Sequence, residues 1–222
     1  MNTRASIYGN IRSALGVSGR EAPRRAAVEE RLAHCPGGIV PARGQLDAAG
    51  RLALFKEQAE AVAANVTRVA AETAVPEEVA RILRVQRLPA TLRLGSDRRL
   101  AAMPFAATEL SIAIGPAEAG DANALSHAFA GVAETGTLVL TSGPDNPTTL
   151  NFLPDTHFVV IRAEDIVSDY ETVWQRLRAV YGKGQMPRTV NFITGPSRSA
   201  DVEQEIVLGA HGPRRLQIIV VG

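Results

Sequence analysis

Three short segments bring together residue types that do chemistry. In Ala133-Glu134-Thr135-Gly136-Thr137, a carboxylate, two hydroxyls and a glycine sit between apolar stretches. Glycine permits positive φ or close backbone approach, and a glutamate at the edge of an apolar layer is costly unless paired or used. Glu134 is therefore a candidate acid, base or covalent nucleophile. An ordinary turn whose Thr135 and Thr137 hydroxyls bond the backbone is the competing reading. The second segment, Thr194-Gly195-Pro196-Ser197-Arg198-Ser199-Ala200-Asp201, is expected to join a strand to a helix. Free amides at a helix N-terminus bind anions, and Arg198 adds a bidentate donor for carboxylate or phosphate. Asp201 or Ser199 as a helix cap, with Glu203 complementing the dipole, explains the same residues structurally. The third segment, Gly209-Ala210-His211-Gly212-Pro213, sets a histidine between glycines, where it can donate to a ligand or shuttle protons. A helix of about nine residues from Ala200, roughly 13 Å long, would carry His211 away from the ligand edge.

The candidate ligand-binding residues are thus Thr135, Gly136, Thr137, Gly195, Pro196, Ser197, Arg198, Ser199, Asp201, His211 and Gly212, with Glu134 as the candidate catalytic group. Other features say less. Gly143-Pro144-Asp145-Asn146-Pro147 suits a lid, but turn chemistry explains it equally. Ser126-His127 has no visible acid partner, and the GxSxG elbow is absent. Asp201 and Glu205 share an expected helix face, which usually means solvated charge. GxGxxG and P-loop patterns are missing, so nucleotide binding has no support. The histidines at 34, 127, 157 and 211 lack zinc-type spacing. Cys35 is the only cysteine, so it can form no internal disulfide and cannot hold an iron–sulfur cluster, which usually takes four thiolates. No cofactor or metal is expected on this chain; a redox centre would sit on another one. With 24 basic and 23 acidic residues, the charge offers no field for nucleic acid.

The elements that must position these groups follow from periodicity. Met1 to Leu15 reads as a short amphipathic helix through Ile7, Ile11 and Leu15, and residues 20 to 45, rich in Arg, Pro and Gly, read as a long connection. Residues 1–45 are taken as an N-terminal extension and 46–222 as an α/β domain. Leu52, Phe55, Ala59, Val62, Val66 and Val69 are spaced 3,4,3,4,3, which predicts one helix over 46 to 72. Beyond it helices and strands alternate. Helices are expected at 77 to 87, from Ser168 with Glu171 closing a capping box, and from Ala200 to Leu208 with Gly209 as C-cap. Strands are expected at Thr91 to Leu94, Leu110 to Ile114, Phe129 to Ala133, Gly136 to Thr141, His157 to Arg162, Val190 to Thr194 and Leu216 to Val221. This alternation predicts a mainly parallel sheet covered on both faces, with ligands outside the carboxyl ends of its strands. Met1 to Arg20 lacks a signal-peptide core and the apolar runs are strand-sized, so cytoplasmic residence without a membrane span is expected.

Taken in order, Glu134-Thr135-Gly136-Thr137, Gly195 through Glu203, and Leu208-Gly209-Ala210-His211-Gly212-Pro213 resemble the signature of the lactate-utilisation protein C family, or LUD domain. The likeness covers roughly residues 85 to 222. Where the family usually reads GPSRTADIE, Ser199 replaces the Thr and Val202 the Ile. The resemblance implies a Rossmann-like three-layer sandwich of the NagB/RpiA/CoA-transferase type. It also implies a part in oxidising L-lactate to pyruvate alongside iron–sulfur partner proteins that carry the clusters. A small carboxylate or phosphate ligand and a homo-oligomer are compatible with it. The alternative is a CoA-transferase-like or other small-carboxylate or sugar-phosphate enzyme in which Glu134 is the nucleophile.

Overall fold

The computed structural model describes residues 3–202, 205–209 and 211–222, and its contacts divide the chain into two units, Met1–Ile39 and Val40–Gly222. The first unit holds helices α1 (Thr3–Ala14) and α2 (Ala22–His34), neither of which buries a residue. Met1, at the start of the expected first helix, lies outside the described residues, as do Glu203 and Ala210. Helix α2 corrects the expectation of a connection over residues 20 to 45. Pro23 stands in the first turn, where its missing N–H costs nothing, and the following run is rich in Ala, Arg and Glu, all strong helix formers.

The second unit is built on a six-stranded sheet in the order β1-β12-β7-β4-β2-β3. Its strands are β1 (Asn65–Val69), β2 (Thr91–Leu94), β3 (Ser111–Ile114), β4 (Asn123–His127), β7 (Thr156–Arg162) and β12 (Arg215–Val221). Every pairing is parallel. One face packs on α4 (Val75–Val85) and α5 (Arg98–Ala101), where Val79, Leu83 and Leu100 meet Leu125, Phe158 and Ile219. The other face, carrying Val159, Ile161, Leu216 and Ile218, packs on Phe55 and Ala59 of α3 (Ala48–Ala61) and on a second sheet. The result is the expected Rossmann-like α/β sandwich. The second sheet was not foreseen. It runs β8-β5-β6-β9, from β5 (Ala130–Val132), β6 (Thr137–Thr141), β8 (Ile166–Val167) and β9 (Val190–Ile193). Its pairings are mixed, with β6 antiparallel to both neighbours. Its outer face is closed by Val173 and Leu177 of α6 (Tyr170–Tyr181).

Four further expectations are corrected. The helix predicted over 46 to 72 stops at Ala61, and Val66 and Val69 belong to β1. The stop is a Schellman motif: Ala64 N–H donates to Ala59 O and Ala63 N–H to Glu60 O, both at 3.0 Å, with Ala63 left-handed at φ 67°. Such a stop is usually marked by glycine. With alanine there, nothing in the sequence interrupts the helical spacing. The helix predicted from Ala200 to Leu208 is instead a hairpin, β10 (Arg198–Val202) antiparallel to β11 (Glu205–Leu208). Val202, Ile206 and Val207 are β-branched and favour the pleated form. The buried strand β4 was missed, because only Ala124 and Leu125 of its five residues are apolar. Helix α6 is capped by Asp169, not Ser168: Thr172 N–H donates to Asp169 Oδ1 at 2.8 Å. Among the described residues no helix is long and apolar enough to cross a membrane.

Replacing Ala63 with glycine removes the left-handed penalty while keeping both hydrogen bonds. Ala63→Gly is expected to raise the unfolding free energy by about 1 kcal/mol, read from urea denaturation. A destabilised variant would mean that α3 does not end this way.

Candidate functional site

The turn 133–136 joins β5 to β6, and the segment 194–197 leaves β9. Because β6 pairs with β9 through Leu138↔Ile193, the two segments emerge side by side. Thr137 Oγ1 lies 2.7 Å from Thr194 Oγ1 and 2.7 Å from Thr135 Oγ1, and the Tyr170 hydroxyl joins it at 2.9 Å. The threonines of the first motif are thus bound to one another and to the second motif. Both glycines are required by packing. A Cβ on Gly136 (φ 65°) would stand 2.2 Å from Ala59 N, and one on Gly195 (φ 76°) would stand 2.4 Å from Val62 O. Each loop seats its backbone on the last turn of α3.

The hairpin changes what the second motif can do. Arg198 opens a strand, so the stacked amides of a helix N-terminus are not there to hold an anion. The hairpin also overturns the placement of His211 far from Arg198. Arg198 pairs with Leu208, Gly209 N–H donates to Ser197 O at 2.9 Å, and Ser197 N–H donates to Pro213 O at 2.9 Å. The second and third motifs are therefore neighbours. With Phe152, Phe192 and Leu216 they line a cleft of about 280 Å³ that includes Thr194, Gly195, Pro196, Ser197, Arg198, His211 and Gly212. Arg198 and His211 are exposed, and no carboxylate is among the lining residues described. Ser199 and Asp201 lie in β10, and their side chains fall outside the description. The cleft does not sit at the carboxyl ends of the parallel strands. His157 and Leu216, each second in its strand, bring it to the amino ends of β7 and β12. The physical reason is that β9, which supplies the loop, belongs to the second sheet.

Glu134 is not among the cleft residues. It is 4% exposed, with its Cβ under Gly44 and its backbone N–H on Ser168 O at 3.3 Å. Its Oε2 is buried without a partner. A neighbouring carboxylate, Asp169, is well satisfied. Burial alone would raise it, but donors from Ser168, the Thr172 amide and Gln45 hold it below the usual carboxylate range.

A buried group not singled out by sequence lies at the cleft: Asn151 and His157, which line it, and Ser126 behind them. Ser126 Oγ is 3.1 Å from His157 Nε2 and 3.4 Å from Asn151 Oδ1, and Asn151 and His157 line the cleft. His157 is fully buried, and that burial holds its imidazole down to about 3, so the ring is neutral near pH 7. Its Nδ1 has no partner. His127, the neighbour that the sequence offered to Ser126, points its Nδ1 to Ala128 O at 2.9 Å instead. Among the described residues no group of three or more His, Cys, Asp or Glu side chains could hold a metal.

Fold and cleft define a Rossmann-like α/β protein with a second sheet whose loops face a polar recess. Residues 117–221, which carry this recess, match the LUD domain family, the family that the three motifs resemble. Lactate utilization protein C of Geobacillus sp. (strain WCH70) is 42% identical over 91 residues, covering 40% of this chain and 38% of that protein. Its namesake from Deinococcus radiodurans is 39% identical over 92 residues, 41% of this chain and 42% of that protein. The chain therefore matches about two fifths of the length of these curated relatives. The crystal structure of a DUF162 family protein from Deinococcus radiodurans superposes with a TM-score of 0.60 at 24% identity, over 80% of this chain and all but 1% of that one, since it covers 99%. That likeness shows the shared fold.

Two measurements probe this geometry. Gly136→Ala adds both a left-handed alanine and a contact inside the van der Waals limit, so a loss of about 3 kcal/mol is expected in urea unfolding; an unchanged midpoint would show that the turn does not rest on α3. The second concerns His157, whose folded value lies below its ordinary 6.5. Above pH 6.5 neither state is protonated and its contribution to stability is complete; from 6.5 down to about 3 only the unfolded chain takes the proton, and stability falls. His157→Phe is expected to flatten the acid side of the stability profile by one proton's worth of slope. Parallel profiles for the two proteins would place His157 in water.

Proposed function

We propose that this protein is a component of an L-lactate utilisation system. It has no redox centre of its own and binds a small carboxylate in the cleft for iron–sulfur partners that oxidise lactate to pyruvate. The observation that carries the reading is the composition of the cleft. The Arg198 guanidinium and the imidazoles of His211 and His157 line a recess with no described carboxylate, beside apolar Phe152, Phe192 and Leu216. A charged fork with hydroxyl and amide neighbours suits a carboxylate, and the apolar wall suits a short alkyl group. The printed names of the curated relatives support the pathway. The single cysteine, Cys35, supports a division of labour in which clusters sit elsewhere.

The reading in which Glu134 acts as an acyl-accepting nucleophile is less well supported. An attacking carboxylate must reach a substrate carbonyl, and Glu134 is 4% exposed and absent from the cleft.

Arg198→Ala is the direct test. It is expected to weaken L-lactate binding at least about tenfold, the usual loss when a charged hydrogen-bond donor is removed. Iron–sulfur partners should co-purify with the wild-type chain. Unaltered affinity in the variant, together with normal growth on lactate after deletion of the gene, would overturn the proposal.

A further inference from the structure

The free edge of the second sheet runs along the cleft. Strand β9 is the last of its sheet and is paired on one side, to β6. Successive residues of a strand point to opposite faces. Here Phe192 packs with Val173 and Leu177 of α6, and Ile193 packs on the side of the central sheet. Both line the cleft, followed by the exposed Thr194, so the cleft borders the edge of β9 rather than one of its faces. The register shows which backbone groups that edge presents. Val139 lies opposite Phe192, and its carbonyl accepts from Phe129 N–H on the far side of β6. Opposite residues of an antiparallel ladder either exchange both hydrogen bonds or both turn their polar groups away. Phe192 N–H and C=O therefore point away from β6, and by the same alternation so do those of Val190 and Thr194. No described backbone group bonds them. Exposed edges are usually blunted by charge, proline or a bulge, and Val190–Ile193 has none of these.

We infer that this edge docks an extended, acidic segment of a partner protein, which adds to β9 as a further strand and sets a carboxylate on Arg198. This rests on the reading of Arg198 as the partner of a carboxylate and adds the kind of chain that brings one. Each outward-turned residue of β9 offers one donor and one acceptor to the incoming main chain. Main-chain pairing of this kind gives affinity, and the alternate side chains of the added strand give selectivity. Charge decides between the two occupants an open edge can take, another protein or a second copy. From Gly182 to Arg198 the sequence holds Lys183, Arg188 and Arg198 and no acidic residue. A second copy pairing β9 with β9 brings the same positive segment against itself, whereas an acidic strand is complementary to it.

The test uses the full chain, L-lactate, and acetylated, amidated hexapeptides of alternating valine and threonine in which each position in turn is glutamate or glutamine. The expected result is that the best glutamate peptide binds at least about tenfold more tightly than its glutamine counterpart and protects the Phe192 and Thr194 amides from hydrogen exchange. Arg198→Gln should remove the preference for glutamate. Methylating the backbone nitrogens of the peptide deletes its strand donors and should also abolish the protection; this arm needs no variant of the protein. Glutamate peptides that bind without protecting those amides, or equally well when methylated, overturn strand addition and leave the carboxylate site standing, as does binding of L-lactate alone. Protection of the same amides that rises with protein concentration, without peptide, makes a second copy the occupant and overturns the inference. Peptide binding with the expected protection but no binding of L-lactate upholds the inference and overturns the small-acid reading. Binding of neither overturns both.

Discussion

The last turn of α3 is the surface on which the loops of the second sheet are aligned. Two loops from different parts of the chain press their backbones on it, Gly136 over Ala59 and Gly195 over Val62. Neither contact tolerates a side chain. The helix must end where it does for both loops to seat, and it ends through the left-handed Ala63. The Thr137–Thr194 hydrogen bond and the β6–β9 ladder then tie the two loops together. Glycines that suggest close approach to a ligand are here held by close approach to a helix. By fixing Gly195, this contact fixes where Pro196, Ser197 and Arg198 enter the cleft.

Replacing an expected helix with a hairpin alters the electrostatics of the site in kind. A helix N-terminus would offer a partial positive charge spread over several amides. The hairpin offers none, and the positive charge comes from the Arg198 guanidinium, with His211 beside the same recess. The hairpin also shortens the path between motifs. Gly209 returns to Ser197, and Pro213 accepts from it, so residues that a helix would have separated face one space. The recess consequently lies against the amino ends of β7 and β12 rather than at the carboxyl edge where doubly wound sheets usually bind.

What could be read in the sequence divides along a physical line. Continuous apolar runs, such as Phe158 to Ile161 and Ile218 to Val221, announce strands buried on both faces, and the parallel sheet follows from them. Strand β4 is equally buried but polar, and part of its cost is met by partners far away: Asn123 Nδ2 donates to Pro89 O and Thr91 O. No local pattern reveals that. Strand β1 is hidden differently, since Val62, Val66 and Val69 fit a helical period that breaks at Ala63. Arg198 and His211 stand out by residue type within compact motifs. Ser126, Asn151 and His157 do not, because only the register of β4 on β7, with Ala124 opposite His157, brings them together.

Two buried polar atoms without partners, Glu134 Oε2 and His157 Nδ1, lie in different surroundings. Glu134 Oε2 lies beneath the strap of residues 42–46, where Gly44 meets Ser168 O and Gln45 donates to Asp169. Nothing described satisfies that oxygen. His157 Nδ1 is just as deprived, but the cleft lies against its side chain. An unmet hydrogen bond in a buried layer costs stability in either place. The conspicuous carboxylate of the first motif is packed against Gly44 and Ser168, outside the cleft, whereas His157, which no motif contains, borders it.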